Sequence, residues 1–525
     1  MAQQQYDVVV IGGGAAGLSG ALTLSRARRS VLVIDAGEQR NRPAGHIHNY
    51  LGREGTPPAE LLSIGRGEVS SYGGEFLDAR VTAVSGDADH GFTVTTDEIS
   101  VKARRIMVTT GLVDEIPDIS GLEDRWGKDV LHCPYCHGWE VRDRAIGVIA
   151  TGPMAVHGAL LWGQWTPDVT LFLHDGFALT DEQREQLEAR RVRLVEGVIT
   201  GLEIVDDRLT GVRLDSGETV PRDALVVQTG LRPRDTLLTM LGLTTQETPV
   251  GPFVPVAPTG ATAVAGIYAA GNVVDPMAQV ITSAASGLMA GAALNADLVM
   301  QETRRAVAFK RLGVDGDNPG ELFSRDYWEK RYAGHGTHLF RGKANAHLVS
   351  DVAGLTPGRA LDAGCGEGGD ALWLAAQGWE TTGVDISATA LERAAAHAAE
   401  RGLTVTWEQG DLTSWAPEPG AYDLISRHFV HMYGAAGEDL YRRLAGGVAP
   451  GGTLLIVNHS YTDVASSTIP RPDLPEMFMT APEIAAALKP DEWDIQVAEE
   501  RARPATGPDG AETSVHDVVV RARRR

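Results

Sequence analysis

The chain has 525 residues, 43% of them hydrophobic and 22% charged, with 47 basic against 69 acidic side chains and a formal net charge of -22. That length exceeds what one hydrophobic core supports, so two or three globular domains are expected, and the acidic excess argues against nucleic acid or an anionic membrane as partner. The 3 cysteines are too few for a disulfide framework and suit a reducing cytoplasm. No basic and apolar leader opens the sequence and no apolar run is long enough to span a bilayer, so a cytoplasmic, membrane-free protein is expected.

Val8 to Ile11 reads as a buried parallel strand, followed by Gly12-Gly13-Gly14-Ala15-Ala16-Gly17 and a helix-compatible run through Leu24. Gly12, Gly14 and Gly17 give the G-x-G-x-x-G spacing, which allows a tight turn, approach to a pyrophosphate, and close packing of helix on strand. A second strand, Val31 to Ile34, ends in Asp35, about 20 residues on, where a ribose-binding carboxylate belongs. A glycine turn with an incidental acid is the bland alternative; strand, helix and acid in register outweigh it. After an irregular loop at Arg40 to His46, the strand Arg105 to Val108 runs into the small-residue turn Thr109-Thr110-Gly111.

His132-Cys133-Pro134-Tyr135-Cys136-His137-Gly138 holds two of the three cysteines. On a helix the C-x-x-C spacing puts both sulfurs on one face, close enough for a reversible disulfide. The residues alone leave redox work and metal binding open, although a closed zinc site lacks a second cysteine pair or suitably spaced histidines. The strand Ala145 to Ile149 then leads into Ala150-Thr151-Gly152-Pro153-Met154-Ala155, a degenerate glycine loop, and Val169 to Leu173 ends in His174-Asp175-Gly176. Gly266 to Ala270 repeats the strand-and-turn signature and continues into Gly271-Asn272-Val273-Val274-Asp275.

These landmarks, in this order, resemble the thioredoxin-reductase-like FAD-dependent pyridine nucleotide-disulfide oxidoreductases over roughly the first 300 residues. The resemblance implies an FAD-binding domain in two parts, 1–115 and 246–302, split by an NAD(P)-binding-like domain at 116–245 that carries the cysteine pair. It places Gly12, Gly14 and Gly17 at the FAD pyrophosphate and Asp35 at the adenosine ribose. Asn49 and Gly111 would lie near the flavin, Gly271 and Asn272 at the ribityl chain, and Gln279 and Val280 along the isoalloxazine edge. Asn272 departs from the usual Asp but still hydrogen-bonds a hydroxyl.

Two further departures shape the expected chemistry. Ala150 leaves less room for a pyrophosphate, no arginine stands at His174-Asp175-Gly176 for a 2'-phosphate, and Asp175 would repel one. NADPH is therefore disfavoured, NADH remains open, and a site without any pyridine nucleotide is an equal expectation, which makes NAD(P)H a doubtful cofactor overall. His137 replaces the acidic residue usual after the second cysteine, and a neutral imidazole is the better proton acceptor near neutral pH; His132 has no such support. The C-P-Y-C-H-G string with a degenerate nucleotide loop resembles the gliotoxin- and holomycin-type dithiol oxidases. That resemblance implies oxidation of a small-molecule dithiol, with Cys133 exchanging with substrate, Cys136 facing the flavin, and oxygen as acceptor. A homodimer through the flavoprotein half is implied as well.

Residues 303–320 are polar and glycine-bearing and read as a linker. From 321 to 525 the pattern restarts. Tyr327 to Tyr332 predicts an amphipathic helix over the next site, and Arg359-Ala360-Leu361-Asp362-Ala363-Gly364-Cys365-Gly366-Glu367-Gly368 is a strand entering a glycine loop. Strands follow at Glu380 to Val384, ending in Asp385, and at Val405 to Glu408, before Gly410-Asp411-Leu412; Tyr422 to Ser426 and Gly452 to Val457 supply two more. This alternation resembles the class I S-adenosylmethionine-dependent methyltransferases. It implies Asp362, Gly364 and Gly366 at the methionine moiety, Asp385 on the ribose hydroxyls, and Asp411 with Leu412 at the adenine. Cys365 reads as a small packed residue, and His428 and His431 face the acceptor side without a decided role. Val515 to Val520 predicts a buried final strand and Arg521 to Arg525 a solvated end.

The expected architecture is α/β: a two-domain FAD/NAD(P)-binding Rossmann-like flavoprotein followed by a class I methyltransferase Rossmann-like domain. The expected function is bifunctional, with Cys133, Cys136 and His137 catalytic, FAD and S-adenosylmethionine as cofactors, and no metal. The methyl acceptor is open, a thiol being the economical choice. A nicotinamide-fed thioredoxin-disulfide reductase is the alternative, and a redox-sensing binding module the less favoured one.

Overall fold

The computed structural model describes residues 4–525 except 153, 315–318, 335–342, 431, 433, 465–471 and 507–511. The chain divides into two compact units, Met1–Val299 and Met300–Arg525.

In the first unit the valine-rich strand Gln5–Ile11 lies between Val31–Asp35 and Ser100–Val108, parallel to both. Val8, Val9 and Val10 are fully buried because helices or strands cover both faces, which is why this stretch is continuously apolar rather than alternating. The sheet order is Glu75–Asp78, Val31–Asp35, Gln5–Ile11, Ser100–Val108, Gly91–Thr96, Val81–Asp87, and Ile267–Ala269 also pairs with Ser100–Val108 in parallel. A strand from residues beyond 260 thus completes a sheet begun at residue 5, as a split domain requires. The strand order changes direction at Gln5–Ile11, so the loop after it opens at a topological switch point, where open α/β sheets take ligands. A second parallel sheet contains Ile146–Ile149, flanked by Val169–Leu173 and Ala224–Val227.

The second unit is built on a seven-stranded sheet ordered Thr406–Gln409, Glu380–Asp385, Arg359–Ala363, Tyr422–His428, Val448–His459, Glu512–Arg524, Trp493–Thr506. Glu512–Arg524 pairs antiparallel with both of its neighbours. Here the switch point falls between Arg359–Ala363 and Tyr422–His428, directly beside the glycine loop.

Two expectations from composition are corrected. Residues 303–312, read as linker, are the last turns of the helix Val280–Leu312. Ala308 and Phe309 are buried in that stretch and pack with Leu322, Leu474 and Phe478, so a polar composition concealed one apolar stripe. The expected solvated end at 521–525 is instead mostly strand: Leu454 faces the fully buried Ala522, and Arg521 reaches Asp351.

Candidate functional site

The first glycine loop divides its labour among three residues. Gly12 has φ +109°, and a Cβ there would lie 2.4 Å from the Thr109 carbonyl oxygen. A Cβ on Gly17 would lie 1.9 Å from the Gly12 carbonyl oxygen, so the helix Ala15–Arg26 packs on its strand only because this position is bare. Gly14 has nothing within 4 Å of the same position. The backbone is therefore tight behind the loop and open in front of it, the cradle a pyrophosphate fills.

That opening belongs to a cavity of about 640 Å³ lined by Gly12, Gly14 and Asp35 from the glycine-loop side. Gly111, Gly271, Asn272, Gln279 and Val280 line it as well, and so do Cys133, Cys136 and His137. These residues fit a flavin dinucleotide: an open glycine cradle, a carboxylate at the end of the second strand, and a redox pair share one space. Gly17 stays behind the cradle, outside the lining.

Asn272 has a reason to be an amide. Its Nδ2 donates to the carbonyl oxygens of Asp275, Pro276 and Ala278 at 3.2, 3.3 and 2.9 Å, which a carboxylate cannot do. Asn49, expected beside the flavin, does not line the cavity. It adopts φ +61° and donates from Nδ2 to the Tyr135 carbonyl at 2.6 Å, so it holds the cysteine turn.

Cys133 and Cys136 are disulfide-bonded across one helical turn, Pro134–His137. Burial pushes the His137 imidazole below its ordinary range, with Glu140 opposing and His48 adding to the shift, so the ring is neutral at pH 7. His48 lines the cavity too and holds Glu54 at 2.6 Å.

Sequence reasoning set His132 aside, yet it lines the same cavity, stacked on Trp126 with centroids 6.3 Å apart. Burial and the nearby Arg40 push it down to about 4. Arg40 makes a two-pronged ion pair with Asp114 at 2.6 and 2.8 Å, and Thr229 adds a third hydrogen bond at 2.9 Å. Burial works against the Asp114 charge, but Arg40 holds its pKa below the usual carboxylate range. No local pattern signals this group, because its members come from four distant segments.

The degenerate glycine loop of the inserted part is also covered. Ala150 is buried, and a Cβ on Gly152 would lie 3.0 Å from Gln228 Oε1; Pro153 lies outside the described residues. His174 Nδ1 accepts from the Ile199 backbone N–H at 3.0 Å and Asp175 sits at φ +51°. One expectation changes: Arg184 lines a cavity of about 390 Å³ at the carboxyl end of Val169–Leu173, so an arginine is within the region. Glu196 and Asp215 line that cavity too, leaving it with more acid than base.

In the second unit Gly364 and Gly366 have φ +83° and +52°. The Tyr332 hydroxyl lies 2.9 Å from where a Gly366 Cβ would sit, so the helix Arg325–Gly334 does cover the loop. That helix is tied down by Glu329, which accepts from the Ala388 N–H at 2.6 Å at the start of Ala388–Arg401, and by Arg393, which donates to the Tyr332 carbonyl at 2.9 Å.

Asp385 ends its strand and accepts from Gly366 N–H and Ser387 N–H, both at 2.9 Å; burial raises its pKa. Asp362 is buried, accepts from the Ala371 N–H at 3.1 Å, and is pushed well up by burial and by Asp370. Asp411 Oδ1 accepts from Thr413, and Leu412 lies 3.7 Å from the Gly364 Cβ position. The open-φ glycine loop between two strand-end acids fits S-adenosylmethionine, which those acids and the loop backbone would hold. Cys365 is buried and its thiol pKa pushed well up by that burial, in keeping with a packing role. His431 lies outside the described residues; His428 does not, and its surroundings are taken up below.

Residues 6–290 match the family described as pyridine nucleotide-disulphide oxidoreductase, and residues 360–452 match a methyltransferase domain. Thioredoxin reductase tcpT of Claviceps purpurea (strain 20.1) is 30% identical over 305 residues, 54% of this chain and 92% of the relative. Thioredoxin reductase sirT of Leptosphaeria maculans is 31% identical over 313 residues, 55% and 93% of the two chains. Among solved structures, HlmI shares 47% identity at a TM-score of 0.55, covering 58% of this chain and 96% of its own. An oxidoreductase from Agrobacterium tumefaciens shares 37% at a TM-score of 0.54, covering 57% and 99%.

Proposed function

The chain belongs to the pyridine nucleotide-disulphide oxidoreductase family and carries a methyltransferase domain, and from that premise we propose that its first half oxidises a small-molecule dithiol while its second half methylates a thiol. The observation that carries the first part is one cavity shared by the open Gly14 cradle, the Cys133–Cys136 disulfide and a neutral His137.

His137 takes the proton of the first substrate thiol, and the thiolate attacks Cys133 Sγ. The Cys133–Cys136 bond breaks, and Cys136 leaves as a thiolate carrying the electron pair. The second substrate thiolate then attacks the substrate sulfur of the mixed disulfide, releasing Cys133 and a cyclic or linear disulfide product. Two electrons now reside on the cysteine pair. FAD held at the open Gly14 cradle and Asp35 would supply the two-electron acceptor needed to return the cysteine pair to the disulfide, with oxygen as the final acceptor on this reading. The substrate is a cytoplasmic small molecule on this reading, and the flavin half works as a homodimer.

The visible spectrum tests the first half. A yellow protein that bleaches on anaerobic addition of dithiothreitol and recovers its colour in air supports dithiol oxidation; a spectrum indifferent to dithiols refutes it. Arg184 in the second cavity favours one competing reading, reduction of a disulfide at the expense of a nicotinamide. Rapid anaerobic bleaching by NADPH would establish that competitor. For the second half, labelled S-adenosylmethionine with a panel of thiols, amines and phenols decides: methyl transfer confined to nitrogen or oxygen refutes the thiol acceptor.

A further inference from the structure

The strand Tyr422–His428 ends in a histidine whose two ring nitrogens are in unlike situations. His428 Nδ1 lies 2.5 Å from Asp370 Oδ2, and Asp370 Oδ1 accepts from the Asn345 N–H at 2.6 Å. An ionised carboxylate only accepts, so Nδ1 carries the proton and Nε2 is left with a lone pair. The His428 side chain is 5% exposed, and Nε2 is buried with no hydrogen-bond partner among the described residues. A buried acceptor left without a donor is costly in a resting protein and asks for one from a ligand.

Its place in the fold says which ligand. His428 closes the strand beside Arg359–Ala363, at the carboxyl edge where the glycine loop begins. Two residues on, Val430 Cγ2 lies 2.3 Å from the Gly364 Cβ position, so this segment lies against that loop. Between them Phe429 adopts φ +56°, a conformation aromatic residues avoid, and is held there by stacking on His459 at 4.1 Å and by Arg503 over its ring at 5.5 Å.

Resting on the methyltransferase reading, we propose that His428 is the catalytic base for the methyl acceptor and Asp370 its positioning partner, and that the acceptor enters as a neutral thiol. The S–H proton goes to Nε2 as the sulfur forms its bond to the methyl carbon. The bond from that carbon to the sulfonium sulfur breaks, and its electron pair leaves with neutral S-adenosylhomocysteine. An ordinary imidazole, near 6.5, and a thiol, near 8.5, are about two units apart, close enough for proton transfer within the reaction. Beside the dyad, Asp370, on the helix Gly369–Ala376, interacts with the charge of Asp362 on Arg359–Ala363, which Asp385 influences in turn, and His459 stacks on Phe429. The neighbouring strand Val448–His459 presents Val457 opposite His428.

The test uses the full chain, anaerobically, with labelled S-adenosylmethionine and 2-mercaptoethanol. His428→Gln is expected to lower kcat about 100-fold at pH 7 and to come within about tenfold of wild type at pH 9.5, where the thiol is already ionised. Calorimetry should give S-adenosylmethionine affinity within twofold of wild type. Asp370→Asn should lower kcat about tenfold at pH 7 with S-adenosylmethionine affinity within twofold of wild type, as expected of a partner that positions the base. A wild-type profile with no ionisation between pH 5 and 8, or a His428→Gln loss equal at every pH with binding intact, overturns the dyad. If wild type methylates only amines or phenols, the thiol reading fails by itself, and the same variants with that acceptor decide the base.

Discussion

At the scale of single residues the flavin half depends on which groups are neutral. Burial lowers the His137 pKa, so the base form persists below the ordinary histidine range and dithiol oxidation should keep its rate below pH 6.5, falling only at lower pH. His137→Gln should slow anaerobic flavin bleaching by dithiothreitol about 100-fold at pH 7 and leave the oxidised spectrum unchanged. His132 makes a stability prediction of definite sign. Its folded pKa, pushed down to about 4, lies below the unfolded value, so the unfolded state binds the extra proton. Stability is therefore full above about pH 6.5 and lost as the pH falls toward 4, by about 3 kcal/mol at most. Urea denaturation of the apoprotein at pH 7 and pH 4.5 should show that loss, and His132→Gln should flatten it.

At the scale of elements, backbone clearance sets the strongest constraints. Gly17→Val should prevent the helix Ala15–Arg26 from seating on Gln5–Ile11 and yield colourless protein, since its Cβ would meet the Gly12 carbonyl. Gly14→Ala has open space and should fold but bind FAD more weakly, which flavin release on dilution measures. These roles were legible in sequence because strand, turn and helix are contiguous, and so were the paired acids at the ends of the strands. The Asn49 hydrogen bond to the cysteine turn was not legible because its partner, the Tyr135 carbonyl, lies 86 residues away. Val515 to Val520 was legible as a buried strand, but its continuation at 521–525 was read as a solvated end because its arginines look solvated until Asp351 and the buried Ala522 are seen beside them. Asp517, wholly buried, is the far-reaching case. Burial opposes its charge, but hydrogen bonds from His347 and His459 and the charge of Arg503 hold its pKa low. Asp517→Asn should cost the second unit about 3 kcal/mol in chemical denaturation, by leaving Arg503 without its anion.

At the scale of the whole molecule, the proposed dithiol oxidation and thiol methylation would be opposite fates of one functional group. A disulfide has no thiol to methylate, and a methylated thiol has none to oxidise, so the two activities compete for any substrate they share. Cys133→Ser and Cys136→Ser together remove the redox pair, both residues of which belong to the first unit. With dithiothreitol, air and S-adenosylmethionine present, wild type should divide the substrate between disulfide and S-methyl product. The double variant should give S-methyl product alone, in greater amount, because the reduced substrate persists. Mass spectrometry of the products measures the partition directly. Equal methyl yield from both proteins under limiting dithiol would mean that the two halves draw on different substrates, and that their joining in one chain serves a pathway rather than a shared thiol.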